Sequence, residues 1–517
     1  MSELGTVNSS VSTTTEKSRG TQSLLKLGIR LHRLLAWFGG IGLLIWGLSG
    51  LLHPLMTTFG AQQSVYAPPT QPIDLSQSQP VETILQAAGI TSAITVQFVP
   101  GAEQTLLQIT TQDMAPRRYF NPDNGTELID HDPRQAEFLA RHYLGDQVKG
   151  MEVKHIQLLT EFDLEYPWVN RQLPVYRVDF ASDDHLTAYV HTDTSTLASV
   201  NNDFKRWAQT GFQWFHSWDW LPDTVVWLRV MVITLFVGAI TSLALSGIVM
   251  LLRIRRKSRA PGLRGWHRFG AWALAVPMLM LSGSGLYHLW LAAIDPPTSQ
   301  LRFANAMQLV DLELPLNSNW HTLTEGLNVN RVSIVKALDG QILYRLGLAG
   351  AQGAPFTADE IRTARFEGVP ATGPALYLTA NSGEVWLPGD QEMALQLGEH
   401  FTGHGRSAVK TSSQVTRFGI DYDFRNKRIP VWRLDYGTPV NATYFVDTST
   451  GVLVDVVEAH EQPERLSFAL LHKWNFLMMI GRNVPNLVIS GVVLLAIGLL
   501  AVPGLQMKRR RRTRMVQ

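Results

Sequence analysis

Four long apolar stretches constrain this sequence more than any other feature. They lie at residues 34–56, 224–252, 269–294 and 484–502. As a helix, each is long enough to cross the roughly 30 Å hydrocarbon core of a bilayer at about 1.5 Å per residue. A helix also satisfies its own backbone hydrogen bonds, which lipid cannot do. The sequence therefore predicts an integral membrane protein with four transmembrane helices.

Basic residues predict how these helices are oriented. Lysine and arginine cluster before the first stretch, in the loop 253–268 and in the tail 503–517. Such clusters mark the cytoplasmic side, so both termini, including a polar and disordered stretch at 1–25, are expected in the cytoplasm. The segments 57–222 and 295–482 are then expected outside. Because the arginine-rich tail directly follows a membrane helix, we interpret it as a membrane flank and not as a nucleic-acid-binding patch.

Cysteine is absent from all 517 residues. Its absence excludes disulfides, cysteine zinc sites, cysteine-ligated iron–sulfur clusters and a cysteine nucleophile. No glycine-rich nucleotide motif follows a predicted strand, and the cytoplasmic parts are too short to form a nucleotide-binding domain. Any redox chemistry therefore needs other ligands and an external electron donor.

The second half of the chain repeats motifs of the first. The repeats at the first and third stretches are offset by 235 residues (267 − 32 and 288 − 53), and those before the second and fourth by 256 (472 − 216). Both halves are expected to run from inside to outside and back, which predicts two parallel repeats about an axis along the membrane normal. The matched motifs are His32-Arg33 with His267-Arg268, Ser49–His53 with Ser284–His288, His216-Ser217-Trp218 with His472-Lys473-Trp474, and Val175–Phe180 with Val431–Tyr436.

The segments between the helices are expected to form one α+β domain in each half. Val175–Phe180 and Val431–Tyr436 alternate apolar and polar residues, which is typical of strands with one buried face. Turn signals follow at Asp193-Thr194-Ser195 and Asp447–Gly451. Together these patterns indicate antiparallel hairpins.

Six histidines lie at the ends of the predicted membrane helices. They are His32, His53, His216, His267, His288 and His472. His32 and His53 are 21 residues apart, as are His267 and His288, and this length of helix spans roughly 31 Å. Two helices therefore carry a histidine at each edge of the membrane, and the other two carry one at the outer edge.

Imidazoles in these places favour a redox cofactor. Ionisable residues at membrane depth are costly and indicate function, and neutral imidazole is a common haem ligand. A b-type haem needs no covalent anchor, only two facing imidazoles with a gap beside small residues. Gly50 and Gly285 lie three residues before His53 and His288, one turn away on the same helical face. We expect these glycines to leave room for the porphyrin.

Other interpretations stay open at this stage. Histidine and tryptophan also serve as interfacial anchors, closely spaced glycines pack helices, and duplication copies structural histidines with everything else.

Three weaker candidates lie outside the membrane helices. His400 and His404 share a helical face but lack a third metal ligand. The acidic clusters Glu161–Glu165 and Asp421–Asp423 either bind cations or form solvated turns. Four tryptophans either form an aromatic belt at the membrane edge or shield a haem edge: Trp214, Trp218, Trp220 and Trp474.

The motifs resemble those of the PepSY-associated transmembrane family. The resemblance covers about residues 25–505 and rests on the helix that runs from His32-Arg33-Leu34-Leu35-Ala36-Trp37 to Ser49–His53, and on the strand Tyr176-Arg177-Val178-Asp179 with its turn Asp193–Thr196. Members include inner-membrane ferric-siderophore reductases of Gram-negative bacteria, which carry b-type haem between their helices and have periplasmic domains. The resemblance implies haem ligands among His53, His216, His288 and His472 at the periplasmic edge, with His32 and His267 as ligands near the cytoplasm.

The resemblance also implies an oxidoreductase of the bacterial inner membrane. Electrons from quinol or a cytoplasmic reductase would pass through haem b, of which we expect two copies, to a ferric siderophore in the periplasm. Two other functions remain open. One is a membrane-anchored PepSY protein that binds or inhibits a peptidase without haem. The other is a permease for ferric chelates, which the lack of charged residues in mid-membrane disfavours. The siderophore and the pairing of the histidines do not follow from the sequence.

Overall fold

The described part of the chain forms two compact units. The computed structural model describes residues 10–253, 262–294, 301–302, 307–308, 320–349, 375–380, 382–419 and 421–516. The helical unit comprises Met1–Thr58, Trp207–Pro297 and Pro463–Gln517, and the sheet unit comprises Phe59–Arg206 and Thr298–Gln462. Half of the predicted cytoplasmic loop 253–268, at 254–261, lies outside the described residues.

Four helices of the helical unit are long and apolar enough to span a membrane. They cover Lys26–Phe59, Val226–Arg253, Leu263–Ile294 and Val484–Arg509, which confirms the four candidate membrane helices of the sequence analysis. The first helix already begins at Ser10, inside the stretch that was expected to be disordered. A helix that has formed extends at little cost, because each added residue gains a hydrogen bond.

The helix bounds show how the four spans are built. The α-helices of the described residues are α1 (Ser10–Phe59), α2 (Val81–Ala87), α3 (His131–Leu144), α4 (Asp203–Phe212), α5 (Val226–Arg253), α6 (Leu263–Ile294), α7 (Trp320–Thr324), α8 (Gly389–Thr402), α9 (Gln462–Ser467), α10 (Val484–Ala496) and α11 (Val502–Val516). Three π-helical turns lie at Gln213–Ser217, Phe468–His472 and Ile497–Ala501. The last of these joins α10 to α11 within the fourth span.

One apolar core holds the four membrane helices together. Leu43 of α1, Ile240 of α5, Met278 of α6 and Ala496 of α10 belong to the same buried cluster. Hydrogen bonds also join α5 to α6, from Thr241 Oγ1 to Ser282 Oγ and from Trp290 Nε1 to Thr234 Oγ1, each at 3.0 Å, as is usual between membrane helices. This core fixes the helix ends, where the histidines lie.

The sheet unit is built from antiparallel strands. The strands are β1 (Ser92–Ala93), β2 (Thr95–Pro100), β3 (Thr105–Thr110), β4 (Arg118–Phe120), β5 (Val153–Leu159), β6 (Val175–Phe180), β7 (Thr187–His191), β8 (Thr196–Asn201), β9 (Leu301–Arg302), β10 (Met307–Gln308), β11 (Val329–Lys336), β12 (Ile342–Leu348), β13 (Leu376–Thr379), β14 (Val409–Val415), β15 (Val431–Tyr436), β16 (Ala442–Asp447) and β17 (Val452–Glu458). They form sheets of order β5-β6-β7-β8, β14-β15-β16-β17-β9, β13-β12-β11-β2-β3-β4 and β1-β10.

Helices cover two of these sheets. Leu139 and Tyr143 of α3 pack with Val178 of β6 in one core, and Leu397 of α8 packs with Leu434 of β15 in another. The predicted α+β character of the segments between the helices is therefore confirmed.

The two segments between the membrane helices also share a sheet. Strand β2 of the first segment pairs with β11 of the second, with Val96 opposite Ile334 and Phe98 opposite Val332. The sequence analysis expected one domain in each half and did not predict this pairing. A strand pattern shows which face is buried but not which strand lies alongside it.

Candidate functional site

Two histidines face each other at one end of the membrane helices, and we call them the histidine pair. His32 of α1 and His267 of α6 have ring centroids 6.3 Å apart and ring planes at 80°. Two imidazoles that share one haem iron stand about 6 Å apart, since each iron–nitrogen bond is about 2 Å long and each ring adds about 1 Å. The spacing of the histidine pair therefore fits an iron between the rings.

Both rings of the histidine pair are held through Nδ1. His267 Nδ1 donates to the Leu500 carbonyl at 3.1 Å. His32 Nδ1 lies 3.0 Å from Ser246 Oγ, which itself donates to the Leu243 carbonyl at 3.2 Å, so we assign the proton to His32 Nδ1. Within the described residues, neither Nε2 takes part in a hydrogen bond. An imidazole held in this way keeps its Nε2 lone pair for a metal.

The other four histidines form a second group of the helical unit, the four-histidine cluster: His53, His216, His288 and His472. His216 and His472 each lie in a π-helical turn that follows a short helix. Turns of this kind interrupt helices mainly at functional sites. After each turn the backbone of a tryptophan is left-handed, with φ 59° at Trp218 and 51° at Trp474, and the chain turns there before the next membrane helix.

A phenylalanine ring contacts both histidines of each half. The ring precedes the π-turn histidine by four residues and contacts both imidazoles. The centroid distances are 5.9 Å for His53–Phe212, 4.6 Å for Phe212–His216, 4.2 Å for His288–Phe468 and 4.9 Å for Phe468–His472. No ring contact joins the two imidazoles of one half directly within the described residues.

The glycines one turn before His53 and His288 make room for an imidazole. A Cβ on Gly50 would stand 3.3 Å from His216 Cε1, and a Cβ on Gly285 would stand 3.2 Å from His472 Cε1. We expected these glycines to leave space for a porphyrin. The structure places the histidine of the neighbouring π-helical turn against each glycine, and the room for a porphyrin stays a prediction. The glycines therefore set the position of this imidazole.

Hydrogen bonds orient three rings of the four-histidine cluster through Nδ1. His216 Nδ1 lies 3.2 Å from Ser49 Oγ. His472 Nδ1 donates to the Leu281 carbonyl at 3.0 Å. His288 Nδ1 donates to a carboxylate, described below. As in the histidine pair, no hydrogen bond at Nε2 is found for these three rings in the part of the chain that the structure describes, a common feature of metal-binding imidazoles.

Two rings of the cluster are kept uncharged. Burial, together with the charges that His472 and His53 would carry nearby, lowers the pKa of His216 to about 3. Burial likewise lowers the pKa of His472 to about 4, against a hydrogen bond to Leu281 that raises it. Only a neutral imidazole has a lone pair for a metal.

The weaker candidates of the sequence analysis have other contacts. Glu165 forms an ion pair with Arg177 at 2.9 Å, and Asp421 forms one with Arg433 at 3.0 Å. Both acidic clusters therefore contribute a carboxylate to a neighbouring strand. The backbone N–H of His404 donates to Thr402 Oγ1 at 3.1 Å. Within the described residues no three metal-binding side chains come together, whereas a b-type haem needs only two.

The sequence analysis named all six histidines but missed what surrounds them. Phe212 and Phe468 stand four residues before His216 and His472, so a repeated aromatic residue at this spacing was the available signal. Glu464 was missed because a single acidic residue in a polar segment looks like surface.

Comparison with protein-family models finds no matching family, and comparison with curated proteins finds no relative. The PepSY resemblance therefore rests on the motifs alone and stays a prediction.

Proposed function

We propose that this protein is an inner-membrane oxidoreductase that binds b-type haem and reduces ferric siderophores on the periplasmic side. The observation that carries the proposal is the histidine pair, whose rings stand 6.3 Å apart and are both held through Nδ1. The four-histidine cluster at the opposite ends of α1 and α6 gives a second group of ligands. Ligands near both ends are what electron transfer across a membrane requires.

The matched contacts of the two halves support a parallel duplication. Ser49 and Gly50 lie against His216 in the first half, and Ser284 and Gly285 lie against His472 in the second. We infer that both halves cross the membrane in the same sense, with the segments between the helices in the periplasm and both termini in the cytoplasm. The basic flanks support this orientation.

Bound haem supplies one-electron transfer. The chain's own residues hold five of the six imidazoles through Nδ1 and keep His216 and His472 neutral. Siderophores hold Fe(III) through hard oxygen ligands and hold the softer Fe(II) far less tightly. One-electron reduction therefore releases the iron and leaves the siderophore intact. The electron donor is external, either quinol or a cytoplasmic reductase.

Anaerobic stopped-flow reoxidation tests the proposal. Dithionite-reduced protein is mixed with ferric hydroxamate, ferric catecholate and ferric citrate, and an Fe(II) chelator is present as a reporter. We expect at least one ferric chelate to reoxidise the haem with one Fe(II) released per electron. Binding without reoxidation would contradict the proposal and favour the membrane-anchored PepSY binding protein. His185→Ala is a matched control, because His185 is exposed in the sheet unit and pairs there with Asp203.

A further inference from the structure

The two halves of the four-histidine cluster differ in one charged contact. His288 Nδ1 donates to Glu464 Oε1 at 2.5 Å. Position 464 corresponds to position 208 in the first half at the offset of 256 (464 − 208), and this residue is Ala208. His53, the counterpart of His288, has no side-chain hydrogen bond within the described residues. The carboxylate therefore serves only one of the two matched histidines.

Glu464 is placed for this contact and for little else. Its side chain is 11% exposed, and it stands on α9 one turn before Phe468, whose ring stacks on the same histidine. A carboxylate removed from water is costly unless a donor compensates it. Within the described residues, His288 Nδ1 is the hydrogen-bond donor that its oxygens meet. Ala208, in the matched place, is fully buried and apolar.

A carboxylate behind a ligating imidazole changes the metal on the other side. It fixes the tautomer and the ring orientation, and it makes Nε2 a stronger electron donor. A stronger donor stabilises Fe(III) over Fe(II), so the reduction potential of the iron falls. The Glu464 side chain is largely buried while that of His288 is 41% exposed, so the hydrogen bond is only partly shielded from water.

We propose that Glu464 is a positioning residue that lowers the reduction potential of the iron bound by His288. This inference rests on the proposed function, since it requires haem in the four-histidine cluster with His288 as a ligand. The two halves then carry matched ligands of unequal donor strength. This difference in donor strength would set the direction of electron transfer between the two matched sites, because electrons move towards the more easily reduced site.

Potentiometric titration of the full-length protein tests this inference. His288→Ala first identifies the haem component that depends on this histidine. Glu464→Ala, which installs the residue found at position 208, is expected to raise the midpoint potential of that component and to shift its EPR g values. Glu464→Gln keeps the shape and an acceptor but not the charge, and is expected to give a smaller rise. Ala208→Glu is the reciprocal change and is expected to lower the midpoint potential of the haem component that depends on His53.

Controls separate this inference from the proposed function. Glu392→Ala removes an ion pair with Arg406 in the sheet unit and is expected to leave every potential unchanged. A wild-type protein without haem would overturn both the proposed function and this inference. Haem that is retained in Glu464→Ala with unchanged potential and g values would overturn this inference alone. If Glu464→Ala fails to fold, the same comparison is made on Glu464→Gln, where an unchanged potential again refutes it.

Discussion

The two histidine groups of the helical unit differ in how their imidazole rings are arranged. In the histidine pair, the rings of His32 and His267 stand 6.3 Å apart. In the four-histidine cluster, Phe212 and Phe468 each contact both histidines of one half. Under the proposed function, the pair offers two imidazoles for one iron, whereas the cluster offers four.

The largest expected effect comes from removing one member of the pair. His32→Ala or His267→Ala leaves a single imidazole, and the site has no other histidine to replace it. We expect one low-spin component of the optical and EPR spectra to disappear, with haem content falling accordingly. His53→Ala is the matched comparison, and we expect a smaller loss because the cluster holds spare imidazoles. An equal loss in both groups would break the distinction between them.

Truncating these phenylalanine rings is expected to have the next largest effect. Phe212→Ala or Phe468→Ala removes a ring that contacts two imidazoles and leaves a cavity. Because each ring is only half-buried, the cost is expected to be below the about 3–5 kcal/mol of a fully packed site. We expect the cluster component to broaden in EPR spectra and the thermal unfolding temperature to fall. The spectrum of the pair should stay unchanged. A change in the spectrum of the histidine pair alone would contradict the placement of Phe212 and Phe468 in the four-histidine cluster.

Overfilling the cluster tests the role of its glycines. Gly50→Ala and Gly285→Ala place a Cβ 3.3 and 3.2 Å from an imidazole carbon, and such overpacking costs about 1–3 kcal/mol. We expect weaker haem retention in size-exclusion chromatography for both variants. Gly283→Ala is the matched control on α6, because a Cβ there meets nothing within 4 Å. Equal haem loss in the control would show that helix packing, not the imidazole, is disturbed.

The smallest effect is expected from the serine hydroxyls, and it differs between the halves. Ser49 Oγ is the hydrogen-bond partner of His216 Nδ1 within the described residues. His472 Nδ1 has the Leu281 carbonyl as well as Ser284 Oγ, at 3.0 and 3.4 Å. A single lost hydrogen bond costs about 1 kcal/mol, so we expect Ser49→Ala to weaken haem retention measurably and Ser284→Ala to do so less. The reverse order would contradict the assigned hydrogen bonds.

The sequence predicted those features that depend on local periodicity. Hydrophobic length identified the four spans, and the 21-residue spacing of His32 and His53 placed them at opposite helix ends. The pairing of β2 with β11 could not be predicted in this way, because it joins residues more than 200 positions apart and leaves no local mark. The contact of His288 with Glu464 depends on how α9 packs against α6, which a repeat comparison alone does not give. The imidazole beside each of Gly50 and Gly285 was also not predicted, because it comes from a distant part of the chain.

One measurement tests the central claim most directly. The protein is purified in detergent from haem-replete cells, and its spectrum is recorded before and after dithionite reduction, with haem quantified as the pyridine haemochrome. The account predicts a red protein with a b-type, low-spin spectrum whose Soret band shifts on reduction, and with more than one haem per chain. A colourless, folded protein would contradict it.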